Sequence, residues 1–329
     1  MSLVADTSRL PGGDGQAGSA RARATFEAIC HNLGIVIRGK QEVLRQLVVA
    51  LFAGGNVLME DVPGVGKTTL ARSLARSIRG DFKRVQFTPD LLPTDIVGTS
   101  IYNPRDVTFE FKQGPVFTNI LLADEINRAS PRTQSSLLEA MNEGQVTIDG
   151  QSHALPTPFL VVATQNPVEY HGTYPLPEAQ LDRFAMRVEL GYPDLDAEIE
   201  VLESQHERHP LDTLRPVATL DDIRHAMAET RGVRVERPVS TYIMALVHAT
   251  RADARIRLGA STRGALSLYR VAQAYALVSG RDYVLPDDVK RLAVPVLAHR
   301  LVRDTRARYS GVTKEAIVAE AVGAVKVPT

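Results

Sequence analysis

Asn56 to Ile78 reads NVLMEDVPGVGKTTLARSLARSI, and its reading decides the fold. Asn56 to Met59 is a short apolar run suited to a buried strand, while Leu70, Leu74 and Ile78 recur every four residues and give the segment that follows one apolar helix face. Between strand and helix lies EDVPGVGKT. Gly64 and Gly66 let the backbone bend so that consecutive N–H groups converge on one anion, at the positive end of the helix. A loop of this kind predicts a nucleoside triphosphate site over Pro63, Gly64, Val65, Gly66, Lys67, Thr68 and Thr69. Lys67 would reach the β- and γ-phosphates, and the Thr68 hydroxyl would bind a Mg²⁺ ion bridging them. The strict pattern asks for glycine six residues before the lysine, where this chain has Asp61. Aspartate tolerates unusual backbone angles better than most residues, and Pro63 stiffens the turn. An ordinary Gly-rich turn is the plain alternative; the flanking strand, the helix and GKTT together argue against it.

The 329 residues have room for one large domain or two of ordinary size, with ample core. Lys plus Arg equals Asp plus Glu at 38 each, so the total charge demands neither nucleic acid nor an anionic membrane. Cys30 is the only cysteine, which excludes an internal disulfide and Cys/His metal spacings; a buried, inert thiol is expected. No signal core opens the chain, and no apolar run approaches the roughly 18 residues of a membrane span, so a cytoplasmic location is expected.

Residues 1–20, rich in Gly, Ser, Asp and Ala, predict a disordered tail. Helices are expected from Ala22 to Leu33 and from Gln41 to the Gly54-Gly55 stop, and a strand over Lys83 to Phe87. IYNPRDVTFEF (101–111) reads as a hairpin about Asn-Pro-Arg-Asp. NILLADE (119–125) is a strand that delivers two acids to the carboxyl edge of a sheet, where ligands of open α/β folds bind. Asp124 would hold Mg²⁺, and Glu125 would orient and polarise the attacking water. On its own this pair reads as solvated; the phosphate loop upstream reverses that judgement. Ser130-Pro131 starts a helix that ends at Gly144. QVTIDGQSHALP is a second hairpin, turning at Asp149-Gly150. FLVVAT (159–164) is a fourth buried strand, and Asn166 sits just past it, in position to bond the γ-phosphate or the water; alone, Asn before Pro is only a turn. After Arg183, AMRVEL is a fifth strand, and Tyr192-Pro193 marks a boundary between a nucleotide-binding core (21–193) and a helical domain (194–329).

In that second domain helices are expected over 194–207, 220–230, 238–252, 262–279, 286–301 and 313–325. Arg263 opens the fourth, against the helix dipole, which a nearby ligand anion would explain as well as plain solvation does. His206 and His209 have no metal partner spacing and are expected to face solvent.

Taken together, EDVPGVGKTT, LLADEINRA, VVATQNP, LPEAQLDRF and GASTRGAL resemble the MoxR family of AAA+ ATPases across residues 25–325. The resemblance implies a Walker A at Gly64, Gly66, Lys67 and Thr68, a Walker B at Asp124 and Glu125, and sensor 1 at Asn166. It implies an arginine finger at Arg183, acting in the neighbouring subunit's site, and sensor 2 at Arg263, where Thr262 replaces the usual proline. Asp61 is ordinary for this family, whose loop often begins EDVPG. IVIRGKQEV resembles the adenine-lining segment, which places Ile37 and Gly39 beside the base. The two hairpins resemble the helix-2 and pre-sensor-1 inserts shared with magnesium chelatase and replicative helicases.

The implied fold is α/β, a P-loop αβα core with a five-stranded parallel sheet followed by an all-α lid. The implied function is Mg·ATP hydrolysis to ADP and phosphate in a ring, usually a hexamer. That would drive chaperone-like remodelling, or cofactor or metal-centre maturation, of a protein client, often with a separate von Willebrand factor A domain protein. Two other readings are a slow nucleotide-gated scaffold and a nucleic-acid motor. Against the motor stand the zero net charge, the lack of a winged-helix or zinc module, and hairpins whose only cations are Arg105, Lys112 and His153.

Overall fold

The computed structural model describes residues 14–166, 173–204 and 210–327; Pro167, His206, His209 and the first 13 residues of the expected tail lie outside the described residues. Helices α1 (Asp14–Val36) and α2 (Gln41–Phe52) precede β1 (Val57–Glu60). The core continues through α3 (Lys67–Ser77), β2 (Phe82–Gln86), α4 (Pro93–Val97), β3 (Gly98–Asn103), β4 (Thr108–Gln113), β5 (Ile120–Asp124) and α5 (Pro131–Glu143). It closes with β6 (Gln145–Ile148), β7 (Gln151–Ala154), β8 (Leu160–Gln165), α6 (Glu178–Leu181) and β9 (Met186–Val188).

Five of these strands pair in parallel in the order β2-β5-β8-β1-β9. A parallel sheet is covered on both faces, so its strands read as continuous apolar runs, and every residue of β5 is buried. Alternation then splits those runs between two cores. Val57, Met59, Ile120, Leu122, Leu160 and Val162 join the cluster that α1, α2 and α3 complete, with Leu70, Leu74 and Ile78 buried as the sequence expects. Leu58, Leu121, Ala123, Val161 and Ala163 face the other way, toward Ile96 of α4 and Leu137 and Leu138 of α5.

Helix α1 begins at Asp14, eight residues before the expected start, so residues 14–20 are helical rather than tail. The small residues that read as low complexity are what allow it. A Cβ on Gly18 would come within 2.6 Å of the Glu229 carboxylate, so a larger residue there would have to push the end of Glu229 aside. Arg21 then donates to Asp222 at 2.7 Å. Composition predicts disorder for a segment considered alone; here a tertiary surface supplies the burial.

The second domain holds α7 (Leu195–Ser204), α8 (Pro210–Thr213), α9 (Leu220–Gly232), α10 (Arg237–Ala252), β10 (Ile256–Leu258), α11 (Thr262–Val278), α12 (Pro286–Leu297), β11 (Val302–Arg303), α13 (Thr305–Tyr309) and α14 (Lys314–Ala324). Side-chain caps start several of these helices, Thr219 for α9, Ser261 for α11 and Thr313 for α14. A short antiparallel ribbon, β10 with β11, interrupts the expected run of helices. Strands of three and two residues are too short to show alternation. The apolar cluster under α1 and α2 runs on into α9, α11 and α12, so the two domains share a core.

Both hairpins are present, β3 with β4 and β6 with β7. Asp149 (φ 51°) and Gly150 (φ 78°) form the tight turn of the second, as Asp-Gly predicts. At the base of the first, a Cβ on Gly98 would lie 2.3 Å from the Lys112 carbonyl, so only glycine fits. The hairpins lean on each other. Ser100 Oγ donates to Asp149 Oδ2 at 2.5 Å, and the Phe111 ring stacks on His153 with centroids 4.1 Å apart.

Candidate active site

The phosphate loop joins β1 to α3 with Gly64 at φ 85° and Gly66 at φ 95°, a left-handed backbone that glycine adopts at little cost. Lys67 Nζ donates to the carbonyls of Asp61 (2.9 Å) and Val62 (3.3 Å), folding the lysine over its own loop. Asp61 has a task that sequence reasoning did not assign. Its buried carboxylate accepts from the backbone N–H groups of Leu190 (2.5 Å) and Gly191 (3.0 Å), which fastens the start of the loop to the chain beyond β9.

Around this loop opens a cleft of about 520 Å³, lined by Lys67, Thr68, Asp124, Glu125 and Asn166 together with Arg84, Gln86 and Arg128. An adjoining, more apolar cavity of about 500 Å³ shares Gly64 and Gly66 and adds Ile37, Val65, Thr69, Leu190 and Tyr192, the shape and chemistry of a base pocket beside a phosphate cradle. Gly39 is not among its lining residues. That glycine (φ 70°) makes a turn against α7, where a Cβ would lie 3.2 Å from Ala197 Cβ.

The two acids are held by neighbours on the adjoining strands. Thr164 at the end of β8 donates its hydroxyl to Asp124 Oδ1 at 2.6 Å and accepts the Glu125 N–H at 2.8 Å, so one side chain orients both. Asp124 Oδ2 accepts from Arg84 Nε (3.0 Å) and Nη2 (2.6 Å). Glu125 adopts a left-handed backbone (φ 55°, ψ 49°), and its carboxylate accepts from Gln86 Nε2 at 2.7 Å and Arg128 Nη1 at 2.8 Å. The sequence reading missed Arg84, Gln86, Arg128 and Thr164. A signal for two of them was present, since Arg84 and Gln86 flank Val85 and so share the polar face of β2. Among the described residues no cluster of three or more His, Cys, Asp or Glu could cage a metal. Thr68 and Asp124 offer one hydroxyl and one carboxylate, a sparse oxygen set that suits Mg²⁺ completed by phosphates and water.

Arg183 and Arg263 lie elsewhere. With Arg270 they line a third cavity of about 240 Å³ that shares no lining residue with the cleft around Lys67. Arg270 stands two helical turns along α11 from Arg263, on the same face. Among the described residues none of the three forms an ion pair, and the Arg183 Nε is buried without a partner. The nearest acid in sequence, Asp182, is taken by Arg300 at 2.5 Å and by Ser261 at 2.7 Å.

Comparison with known proteins agrees with this architecture. Residues 56–186 match the ATPase family associated with various cellular activities (AAA), and residues 248–321 match the AAA lid domain. A candidate ATPase from Cytophaga hutchinsonii, solved by crystallography, superposes with a TM-score of 0.88 at 40% identity over 95% of this chain and 98% of its own. The uncharacterized protein YeaC of Bacillus subtilis is 52% identical over 293 residues, covering 89% of this chain and 92% of that protein. Chaperone MoxR1 of Mycobacterium tuberculosis is 38% identical over 323 residues, covering 95% of this chain and 85% of its own. With a relative of that name matched along nearly its whole length, and the loop, acids and lid in place, this chain belongs to the MoxR family of AAA+ ATPases.

Proposed function

We propose that the chain binds Mg·ATP in the cleft around Lys67 and hydrolyses it in a head-to-tail ring, where each site is completed by Arg183 and Arg263 of the neighbouring copy. One observation carries this reading. The cleft around Lys67 and a pocket lined by three arginines, none in an ion pair among the described residues, share no lining residue, and a heterologous ring contact is what brings such halves together. Lys67 exchanges its loop carbonyls for the β- and γ-phosphates, Asn166 bonds the γ-phosphate or the water, and Ile37 lies against the base. Thr68 and Asp124, the latter once Arg84 releases its Oδ2, would hold Mg²⁺, which would supply charge neutralisation at the phosphates. Glu125, turned by its left-handed backbone and held by Gln86 and Arg128, takes a proton from the attacking water. Arg183 stabilises the charge that develops on the transferred phosphoryl, with Arg263 and Arg270 beside it. A finger of this kind is worth about 10³ to 10⁵ in turnover.

The work driven by turnover is chaperone-like remodelling of a protein client, with a separate von Willebrand factor A domain protein as partner. The name of the Mycobacterium tuberculosis relative supports the first part. Among the described residues no helix is long and apolar enough to cross a membrane.

Complementation tests the shared site. Lys67→Ala is expected to lose ATP binding, and Arg183→Ala to bind ATP yet barely hydrolyse it. Mixed under assembly conditions, the two should regain ATPase, because an intact Lys67 face meets an intact Arg183 face. Absence of rescue despite proven co-assembly would remove the shared-site reading.

A further inference from the structure

The arginine pocket is built across the domain boundary. Arg183 follows α6 in the core, whereas Arg263 opens α11 in the lid. What joins them is Arg300, 118 residues from Asp182 in sequence, with a side chain only 1% exposed. Every nitrogen of its guanidinium is used. Nε donates to the Val296 carbonyl (2.8 Å), Nη1 to the Asp182 carbonyl (2.6 Å) and carboxylate (2.5 Å), and Nη2 to the Phe184 carbonyl (2.5 Å). Two of the three residues so gripped, Asp182 and Phe184, stand on either side of Arg183. The other Asp182 oxygen accepts from Ser261 Oγ at 2.7 Å, and Ser261 caps α11 by accepting the Gly264 N–H at 3.2 Å. Arg263 lies between that serine and that glycine.

The path of Arg300 is narrow. A Cβ on Gly264 would stand 3.0 Å from Arg300 Cδ, so the first turn of α11 is bare where the guanidinium stem crosses it. Beside it, His299 Nε2 lies 3.2 Å from the Phe184 carbonyl. A buried ion pair is a poor choice for stability alone, since apolar side chains of similar volume often serve as well or better. A planar fork with fixed donor directions is instead a good choice for geometry.

We propose that Arg300, acting through Asp182 and Ser261, is a positioning latch that locks Arg183 to Arg263, so that both enter the neighbouring subunit's site as one rigid unit. The proposal rests on the shared-site reading above. Arg300 contacts no nucleotide in it. Small displacements suffice for a large effect, because misplacing a reacting or stabilising group by about 1 Å costs on the order of 10²-fold in rate.

The test uses full-length Arg300→Lys and Ser261→Ala, with Ser261→Thr to restore the hydroxyl. For each, thermal melting, affinity for a fluorescent ATP analogue, and ATPase alone and in mixtures are measured. Both disabling variants should keep nucleotide affinity within about twofold and lose roughly 10- to 100-fold in turnover. Ser261→Thr should recover most of it. Mixing a latch variant with Lys67→Ala should restore activity, because that partner brings a sound arginine face. Mixing it with Arg183→Ala should not, because both partners then lack one. If Arg300→Lys fails to fold, Ser261→Ala, altered at a helix cap, still decides the question. Parental turnover in Ser261→Ala, or rescue by Arg183→Ala as well, would overturn the latch. The control mixture of Lys67→Ala with Arg183→Ala separates the two ideas: if it regains activity while the latch mixtures do not follow the pattern, the latch alone falls. If the control itself stays inactive, the shared site falls and the latch with it.

Discussion

Asp61→Gly would restore the strict phosphate-loop spacing, yet the structure requires it to damage the protein. Asp61 is 6% exposed, and its carboxylate accepts two backbone N–H groups, Leu190 at 2.5 Å and Gly191 at 3.0 Å. Glycine leaves both without that acceptor. A buried donor stripped of its partner costs about 1–3 kcal/mol. The Leu190 N–H is interior and bears the full amount, whereas Gly191 is half-exposed and regains water. Extra freedom of the unfolded chain adds about 0.5–1 kcal/mol. The total is roughly 2–4 kcal/mol, and at about 2–4 °C per kcal/mol for a domain of moderate size the melting temperature falls by about 5–15 °C. Urea denaturation of the parent, Asp61→Gly and Asp61→Asn gives the free energies. The asparagine variant should fall between the other two, because its amide oxygen still serves one N–H while its NH₂ group opposes the other. Nucleotide affinity should fall in the same order as the loop loses its anchor. A glycine variant within about 0.5 kcal/mol of the parent, or more stable than the asparagine variant, would refute the reasoning.

Thr164→Val, nearly isosteric, takes from Asp124 and Glu125 the hydroxyl they share; it should cost about 1–3 kcal/mol of stability and lower turnover more than ATP affinity, and unchanged turnover would deny Thr164 its orienting role. Burial pushes the Cys30 thiol up to about 12, so thiol-reactive probes at pH 8 should label the native protein far more slowly than the urea-unfolded chain, and equal rates would contradict that environment. The Asp222 carboxyl is lowered from 3.8 to about 2, first by its hydrogen bond to the Thr219 side chain and then by Arg21. A depressed carboxylate contributes stability above its unfolded value that is lost as pH falls through the folded one. The stability gap between parent and Asp222→Ala, read from urea melts, should therefore be full near neutrality and narrow from about pH 4 to about pH 2; a gap independent of pH would count against it.

What could be read from the sequence was what is encoded locally. Three core strands, β1, β5 and β8, announce themselves as apolar runs because both faces of a parallel sheet are covered, and Asp149-Gly150 marks its turn by backbone chemistry alone. Asp124 ends β5, Glu125 and Asn166 sit just past the carboxyl ends of β5 and β8, and Lys67 opens the helix that the loop after β1 leads into, and so the sheet gathers them around one cleft. What could not be read depends on partners distant along the chain. Asp61 looks like a departure from a pattern until Leu190 and Gly191 arrive beside it. The α1 residues before Ala22 look like tail until Glu229 and Asp222 supply a surface. Arg300 carries no local signal, because its meaning lies in Asp182 and Phe184. Arg263 reads evenly as solvated or anion-binding, and what weighs on the second side is its shared cavity with Arg183 and Arg270.

The contact between the two hairpins has a mechanical consequence. A lone two-stranded ribbon is marginal in water, but these two brace each other through the Phe111–His153 stack and the Ser100–Asp149 hydrogen bond. They therefore behave as one strut with two roots, one at Gly98 and Gln113 and the other at Gly144 where α5 ends. A load taken at the exposed Tyr102–Phe109 pair, whose rings lie 5.3 Å apart, is divided between both roots. Clipping out Asp149 and Gly150 removes the acceptor of Ser100 as well as a turn, so shortening the second hairpin slackens the first.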